Sequence, residues 1–293
     1  MTPKDILLVL AVVVVWGVNF VAIRWGVDEV PPLLLTSLRY VVAVLPAIFF
    51  VRRPQIGLAL LIGYGFAVGV GQFGLLFTAI KLGMPAGLAS LVIQLQAFFT
   101  IALAVLFLGE RPNGAQLLGA LIAFAGIGLI AAERIGGAAL WPFLMTIAAA
   151  ACWGVANILT KKAGRIDMLG FVVWSSLVPP IPLYLLSLLF EGPGAVPLAL
   201  SQITLWGIGS LLFIGWLSTV FGYGAWSMLL GRYPASTVAP FTLLVPVTGI
   251  GSAALLLGES ITGFELAGSA LVFAGLLLNV FGPRLFSRAV RAG

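Results

Sequence analysis

Apolar runs of similar length, separated by short polar connections, dominate this chain. An α-helix of about 20 residues spans about 30 Å, which is the thickness of the hydrocarbon core of a bilayer. The runs are continuous and do not alternate as the short strands of a membrane barrel do. We therefore predict an all-α membrane protein with ten spans, at about 6–24, 33–51, 57–80, 86–108, 114–132, 140–160, 169–190, 204–230, 235–257 and 263–282.

The second half of the chain repeats the first. The stretch 85–110 recurs as 234–259, with Pro, Ala, Leu, Gly and Glu matched at an offset of 149 residues. The Trp-Gly-Val that begins at Trp16 recurs at Trp153 with an offset of 137 residues, and the longer connection near residue 191 accounts for the difference. A fixed offset over many positions indicates an internal repeat. We predict a first five-helix repeat over residues 1–135, a second over 136–282 and a cytoplasmic basic tail over 283–293.

The number of spans in each repeat determines how the repeats are oriented. Five is an odd number, so the second repeat enters the membrane from the side opposite to the first, which makes the repeats inverted. With ten spans both termini lie on one side, and that side carries 11 of the 15 Lys and Arg residues. The positive-inside rule then predicts that both termini are cytoplasmic.

Composition supports a polytopic membrane protein. Hydrophobic residues make up 61% of the chain and charged residues 8%, whereas soluble domains carry about 25% charge. One cysteine and no histidine exclude an intramolecular disulfide and the common zinc and haem sites, so no cofactor is predicted. We attribute the net charge of +6 to a basic cytoplasmic face and expect no nucleic-acid partner.

Several aromatic residues lie where interfacial anchors would not. Trp16, Trp153 and Trp216 fall near the middle of their spans, whereas anchoring tryptophans lie at the ends. They either pack the bundle or form the wall of an apolar binding cavity. Further candidates for that wall are Tyr64, Trp174, Tyr223 and Trp226.

Five amide side chains are deep enough to form hydrogen bonds inside the membrane. Asn19 and Asn157 lie one turn after a Trp-Gly pair, and each either bonds a neighbouring helix or contacts a substrate. Gln94 and Gln96 are about 200° apart on an α-helix, so we expect only one of them to face a cavity. Gln72 is the fifth candidate, in a glycine-rich segment that allows close packing or a locally opened helix.

Prolines interrupt two predicted spans. Pro240 and Pro246 lie in the ninth span, and Pro179 and Pro180 in the seventh. Each proline removes a backbone donor and kinks its helix, so these positions are candidate hinges or simply shape the bundle.

Charged residues avoid the middle of the predicted spans. Arg39 and Glu265 are the deepest, and both are expected within two turns of the external end. Glu110 and Glu259, at span ends, are predicted to cap or pair at the interface.

Ion-driven carriers usually bury a carboxylate or histidine, and the middle of the predicted spans contains neither. We therefore predict transport without obligatory ion coupling. A buried phosphate would need a fixed cation, and no Lys or Arg lies in the middle of a predicted span, so nucleotide-linked substrates are disfavoured. It also leaves no nucleophile and base for an intramembrane enzyme.

Motifs along nearly the whole chain resemble the drug/metabolite transporter superfamily with two EamA-type repeats. They are the Trp-Gly-Val-Asn-Phe run from Trp16, the Arg39-Tyr40 pair and the Pro-Ala to Gly-Glu stretches 85–110 and 234–259. Within the superfamily the chain is most similar to the YddG group. That resemblance implies ten helices, an inner-membrane location and export of amino acids or toxic organic compounds through a central cavity. The chain departs from the family at Ala97, where a proline equivalent to Pro246 is common.

Together these features predict an alternating-access exporter of neutral amino acids or similar metabolites. The binding site is expected near the midplane, lined mainly by the third, fourth, eighth and ninth spans, with contributions from the first and sixth. The predicted partners are a small-molecule substrate and the lipid bilayer, and the oligomeric state is left open. The alternatives are a proton-coupled drug-efflux carrier, a nucleotide-sugar transporter and a channel.

Overall fold

The computed structural model describes residues 1–134, 140–164 and 166–292, and all their side chains except those at 134, 200, 235, 236 and 283–292. The boundary between the predicted repeats, at 135/136, and the side chains of the basic tail lie outside the described residues. Within the described part, ten helices are long and apolar enough to cross a membrane, and no strand is found. They are α1 (Pro3–Glu29), α2 (Pro32–Phe49), α3 (Leu58–Lys81), α4 (Ala86–Leu108), α5 (Gly114–Glu133), α6 (Leu140–Ala163), α7 (Met168–Phe190), α8 (Leu205–Arg232), α9 (Ala239–Leu257) and α10 (Gly263–Gly282).

The predicted ten-helix architecture is confirmed, and helix bounds differ most in α1. This helix extends beyond the predicted 6–24 at both ends, and the helix that contains α10 continues to Ala292. A short helix, Ala195–Gln202, lies in the long connection before α8. We call the end of the bundle where α1 begins the proximal end and the opposite end, where α1 finishes, the distal end.

Four helices depart from regular α-geometry at corresponding positions of the two repeats. A π-helical segment interrupts α3 at Phe66–Phe73, and another interrupts α8 at Phe213–Phe221. A 3₁₀ segment occupies Ile93–Leu95 in α4 and Ala239–Leu243 in α9. Because π-helices are rare and often mark functional sites, their recurrence in both repeats directs attention to α3 and α8.

All four predicted hinge prolines lie at or beside helix irregularities. The seventh span is broken, because its first α-helix ends at Ser175 and the second begins at Pro180, with Pro179 as its N-cap. Pro240 lies in the 3₁₀ segment of α9, and Pro246 lies in the first turn of the α-helix that follows. The interruptions are therefore confirmed, while a hinge function for these prolines stays a prediction.

Glycines bring the helices into close contact. A Cβ atom at Gly119 of α5 would lie 2.7 Å from the carbonyl oxygen of Gly275 in α10, and one at Gly126 would lie 2.5 Å from that of Gly268. Neither position has room for a side chain, as is usual where membrane helices pack through small residues. The glycine-rich segment of α3 packs in the same way, because a Cβ at Gly71 would lie 2.8 Å from Cys152 Sγ. This segment is thus both closely packed and non-α-helical.

The hydrophobic core is densest toward the distal end. Val27 at the end of α1, Ile80 at the end of α3 and Ala89 at the start of α4 are completely buried. The distal parts of α1, α3 and α4 are therefore closely packed at these residues.

Candidate substrate cavity

A cavity of about 360 Å³ lies between the two repeats, which is within the usual size range of small-molecule sites. It reaches the proximal end at Met168, the first residue of α7, and at Thr160 and Leu230, which lie within the last turn of α6 and α8. Toward the distal end it stops at Leu76 and Ile93, more than one turn from the ends of α3 and α4.

Ten of the twelve residues proposed from the sequence line this cavity. They are Trp16, Asn19, Tyr64, Gln72, Gln94, Gln96, Trp153, Asn157, Tyr223 and Trp226. The wall comes from α1, α3, α4, α6, α8 and α9, as expected from the sequence, and also from α2 and α7.

Two predicted wall residues lie elsewhere, so the sequence-based placement is wrong for them. Trp216 is 46% exposed on the outer side of α8, where its indole N–H donates to the carbonyl oxygens of Val42 and Leu45. Trp174 of α7 donates its indole N–H to Val51 O at 3.0 Å. Both indoles donate to backbone carbonyls in the second half of α2 or just after it, a role that needs an aromatic donor but not a cavity.

Both glutamines of α4 line the cavity, contrary to the prediction that only one could. The 3₁₀ segment that contains Gln94 turns by about 120° per residue, and Gln96 follows it directly, so the two amides lie closer in angle than on an α-helix. Gln94 Nε2 donates to Thr242 O at 3.3 Å, in the equivalent 3₁₀ segment of α9. The two irregular segments therefore contact one another across the repeat boundary.

The two asparagines have different roles. Asn157 Nδ2 donates to Gln96 Oε1 at 2.6 Å and to Thr100 Oγ1 at 3.0 Å, which joins α6 to α4. Asn19 Oδ1 and Gln72 Oε1 are buried and have no hydrogen-bond partner in the described part of the chain. Asn157 therefore forms hydrogen bonds to a neighbouring helix, which was one of its two predicted roles. Asn19 and Gln72 place unpaired acceptor atoms in the cavity wall.

Aromatic rings from α1 and α8 form one side of the cavity. The ring centroid of Trp16 lies 5.4 Å from that of Tyr223 and 5.2 Å from that of Trp226. Trp16 Nε1 donates to Ser218 O at 3.0 Å, and this carbonyl belongs to the π-helical segment of α8. The π-segment therefore fixes the orientation of the indole.

Arg39 is a cavity residue that the sequence analysis missed. It lies about two turns from the distal start of α2 at Pro32, as the sequence predicted, and it is only 2% exposed. Its guanidinium carbon is 3.7 Å from the ring centroid of Phe73, and its Nη2 donates to Thr219 Oγ1 at 3.0 Å. Phe73 and Thr219 belong to the π-segments of α3 and α8, so the two irregular segments meet at Arg39.

No carboxylate in the chain lies near Arg39. All nine Asp and Glu residues fall within the described residues, and each lies in the first or last turn of a membrane helix or just beyond its end. They are Asp5, Asp28, Glu29, Glu110, Glu133, Asp167, Glu191, Glu259 and Glu265. The signal that would have identified Arg39 is its isolation as the one basic residue within the apolar run 33–51.

Three of these carboxylates close the distal end by accepting from backbone N–H groups at helix N-termini. Glu191 accepts from Leu33 N and Leu34 N at the start of α2. Glu259 accepts from Ala86 N at 2.7 Å and Gly87 N at 2.9 Å at the start of α4, and Glu29 accepts from Thr204 N before α8. Anionic groups are favourable at helix N-termini because the helix dipole and free N–H groups both attract them.

Side-chain ion pairs join the helices at the proximal end. Glu110 pairs with Lys161, and Asp5 accepts from Arg232 at 3.0 Å and from the hydroxyl of Tyr233 at 2.7 Å. Glu110 occupies the repeat position equivalent to Glu259 but pairs with a lysine and not with a helix N-terminus. The interfacial role predicted for both glutamates therefore agrees with the structure.

Ten apolar helices around a cavity that is lined by aromatic and amide groups define a multi-pass membrane transporter. The chain belongs to the EamA-like transporter family, whose sequence profile matches residues 3–132 and 140–281. This confirms the predicted resemblance and a transport function in place of an enzymatic one. Together with the bacterial relatives described next, the family match also indicates a multi-pass protein of the bacterial inner membrane that takes a small-molecule substrate.

The chain is similar to two proteins named probable amino-acid metabolite efflux pump. The one from Salmonella typhimurium is 49% identical over 291 residues, which is 97% of each chain, and the one from Escherichia coli is 46% identical over the full length of both. A probable terminal-alkyne amino-acid exporter of Streptantibioticus cattleyicolor is 29% identical over 91% of this chain and 90% of its own. A solved structure with a TM-score of 0.61 and 21% identity, covering 95% of this chain and 96% of its own, shares the fold.

Proposed function

We propose that this protein is an alternating-access transporter that exports neutral amino acids, aromatic ones included, or similar small metabolites. The observation that carries the proposal is the cavity itself, which combines aromatic surface with unpaired amide groups and reaches only one end of the bundle. Such a wall suits a solute with an apolar side chain and a polar head. The names of the two efflux pumps described above point to the same substrate class.

Alternating access is supported by a difference between the contacts that equivalent residues of the two repeats make. Glu259 caps the N-terminus of α4 at the closed distal end, whereas Glu110, its counterpart in the first repeat, pairs with Lys161 at the end that the cavity reaches. Two repeats of related sequence that make different contacts represent one of two related states. In the other state Glu259 is released and the proximal end closes. The irregular segments of α3, α4, α8 and α9 are where the helices would bend.

The proximal end is proposed to face the cytoplasm. In the sequence, 11 of the 15 Lys and Arg residues fall on the side of the two chain termini, and the positive-inside rule assigns such an excess to the cytoplasmic side. In that orientation the cavity receives substrate from the cytoplasm, as export requires. We also propose the two repeats, residues 1–135 and 136–282, as the units that move relative to one another, with 283–293 as a cytoplasmic tail.

Transport is proposed to proceed without obligatory ion coupling. None of the nine acidic side chains lines the cavity, so the described wall offers no carboxylate that could carry a proton across. A proton-coupled drug carrier would need such a group. The argument against nucleotide-linked substrates is weaker than the sequence indicated, because Arg39 supplies the buried cation that was expected to be absent.

The test is flux of labelled phenylalanine, methionine and threonine into proteoliposomes, with and without a pH gradient. Saturable flux of at least one of them without a gradient is expected. Flux that appears only with the gradient would refute uncoupled transport, and no flux of any of the three would refute the amino-acid assignment. A linear dependence on concentration would indicate a channel. Uptake of a nucleotide sugar and of a lipophilic cation, measured in parallel, identifies the alternatives.

A further inference from the structure

Arg39 has an electrostatic requirement that the protein itself does not meet. A charged side chain in the middle of a membrane helix is costly unless it is paired, and intramembrane arginines therefore have partners. Here one nitrogen, Nη2, donates to Thr219, and the face of the guanidinium lies on Phe73. Nε and Nη1 are buried without a hydrogen-bond partner in the described structure. All nine acidic side chains belong to the described residues and lie at helix ends, so none of them supplies the missing negative charge.

The surroundings of Arg39 are arranged around a small pocket. This pocket is enclosed by Arg39, Tyr40, Thr219 and the break in α7 at Ser176 and Pro179. The hydroxyl of Tyr40 is also buried and unpaired. Three unsatisfied donor groups therefore lie around the pocket, and its volume of about 10 Å³ has room for one water-sized group, such as a single carboxylate oxygen.

The pocket adjoins the central cavity. Arg39, Tyr64, Phe73 and Tyr223 line both spaces, so the guanidinium lies on the boundary between them. A solute in the cavity can thus direct one end group toward Arg39 while its remaining part contacts the aromatic wall.

On this basis, and resting on the proposed transport of amino acids, we propose that Arg39 binds the carboxylate of the transported solute. A carboxylate is the planar anion that a guanidinium pairs with best, and it accepts from several donors at once. Pairing replaces the missing counter-ion in the low-dielectric interior and satisfies Nε, Nη1 and the Tyr40 hydroxyl together. The chemical class that the site selects is therefore a small carboxylate with an apolar side chain.

The opposite charge of an amino acid has a complementary environment in the same cavity. Asn19 Oδ1 and Gln72 Oε1 are unpaired acceptors, and the ring of Trp16 stacks near Tyr223 and Trp226, whose faces attract cations. An ammonium group can use both kinds of contact without a carboxylate partner. The arrangement therefore favours a zwitterion over a dicarboxylate.

The experiment compares a carboxylate with its amide on the wild-type protein. Labelled phenylalanine is exchanged in proteoliposomes that contain unlabelled phenylalanine, and unlabelled phenylalanine and phenylalaninamide compete for the flux. The amide keeps the ring and the amino group but has lost the negative charge. We expect it to compete at least about 100-fold more weakly, because a buried site that pairs with a charged group strongly rejects an analogue without it.

Substitutions of Arg39 test whether this residue causes the difference in competition between phenylalanine and phenylalaninamide. Arg39→Met is expected to raise the KM for phenylalanine by at least about 100-fold and to abolish the difference between phenylalanine and phenylalaninamide, a readout that a purely structural residue would not change. Arg39→Lys should retain part of the difference. The matched control is Arg24→Met, which removes a partly exposed arginine paired with Asp28 and should leave the discrimination intact.

The possible outcomes separate the two proposals. If phenylalanine is exchanged but the amide competes within about threefold of it, the role of Arg39 is refuted while amino-acid transport stands. Discrimination that persists in Arg39→Met also refutes it. If the wild type exchanges none of the three amino acids, the proposed function fails and the carboxylate assignment fails with it. If Arg39→Met does not fold, the competition measured on the wild type still decides.

Discussion

The carboxylate of Glu259 is the contact whose removal should most directly shift the protein between its two states. It joins the end of α9 to the N-terminus of α4 through two backbone N–H donors, at 2.7 Å and 2.9 Å. A hydrogen bond to a charged group contributes about 1.5–3 kcal/mol, but Glu259 is partly exposed, so we take about 1 kcal/mol for each bond. Glu259→Ala should then destabilise the distal closure by about 2 kcal/mol, which raises a minor distal-open population about 30-fold.

The distal-open population can be measured from how fast a single engineered cysteine reacts with a thiol reagent. Cys152→Ser removes the only native cysteine, and Ile93→Cys places a thiol on the distal part of the cavity wall. An impermeant maleimide added outside intact cells reaches this thiol only when the distal end opens, given the proposed orientation. The labelling rate is proportional to the distal-open fraction, so we expect Glu259→Ala to raise it about 30-fold.

Glu110→Ala in the same background is the matched control. It removes the equivalent glutamate of the first repeat, which pairs with Lys161 at the proximal end. Its labelling rate should not rise. Equal rates for the two variants, within about twofold, would show that the cap on α4 does not hold the distal end closed, and the gating argument would be refuted.

Three further predictions follow from the packing. Gly126→Leu should give no monodisperse folded protein, since a Cβ there already meets Gly268 O at 2.5 Å, whereas Gly128→Leu, where nothing lies within 4 Å, should purify normally. Asn157→Leu should lower stability by about 1 kcal/mol in a thermal-shift assay because it removes two hydrogen bonds between α6 and α4, while Asn19→Leu should leave stability unchanged and impair transport. Trp216→Phe should leave the KM unchanged, since that indole lies outside the cavity; a raised KM would place it in the substrate path.

The sequence predicted the helices well because hydrophobic length and an internal repeat are both linear signals. The stretches 85–110 and 234–259 align at one offset, and their helices end within a residue or two of the prediction. The aromatic and amide residues of the wall could also be chosen, because polar groups and tryptophans in the middle of a span have few other roles.

Side-chain contacts and helix rotation could not be predicted, because both depend on neighbouring helices. The position of Arg39 about two turns from the end of its span was predicted, but its contacts with Phe73 of α3 and Thr219 of α8 were not. Gln94 and Gln96 were predicted to face different directions because ideal α-helical geometry was assumed. No proline lies near them in the sequence to indicate the 3₁₀ segment. Trp216 lies within a π-segment, where the helix face shifts relative to a regular helix.

The glycine contacts between α5 and α10 bear on the origin of the chain. Gly119 meets Gly275 and Gly126 meets Gly268, and these are the same two repeat positions exchanged between the two helices. Mutual exchange of equivalent residues is what a two-fold interface between identical subunits requires. A chain of five helices that inserted in both orientations could have formed this contact with a second copy of itself. The contact therefore has the geometry of a homodimer in which two copies of a five-helix unit insert in opposite orientations.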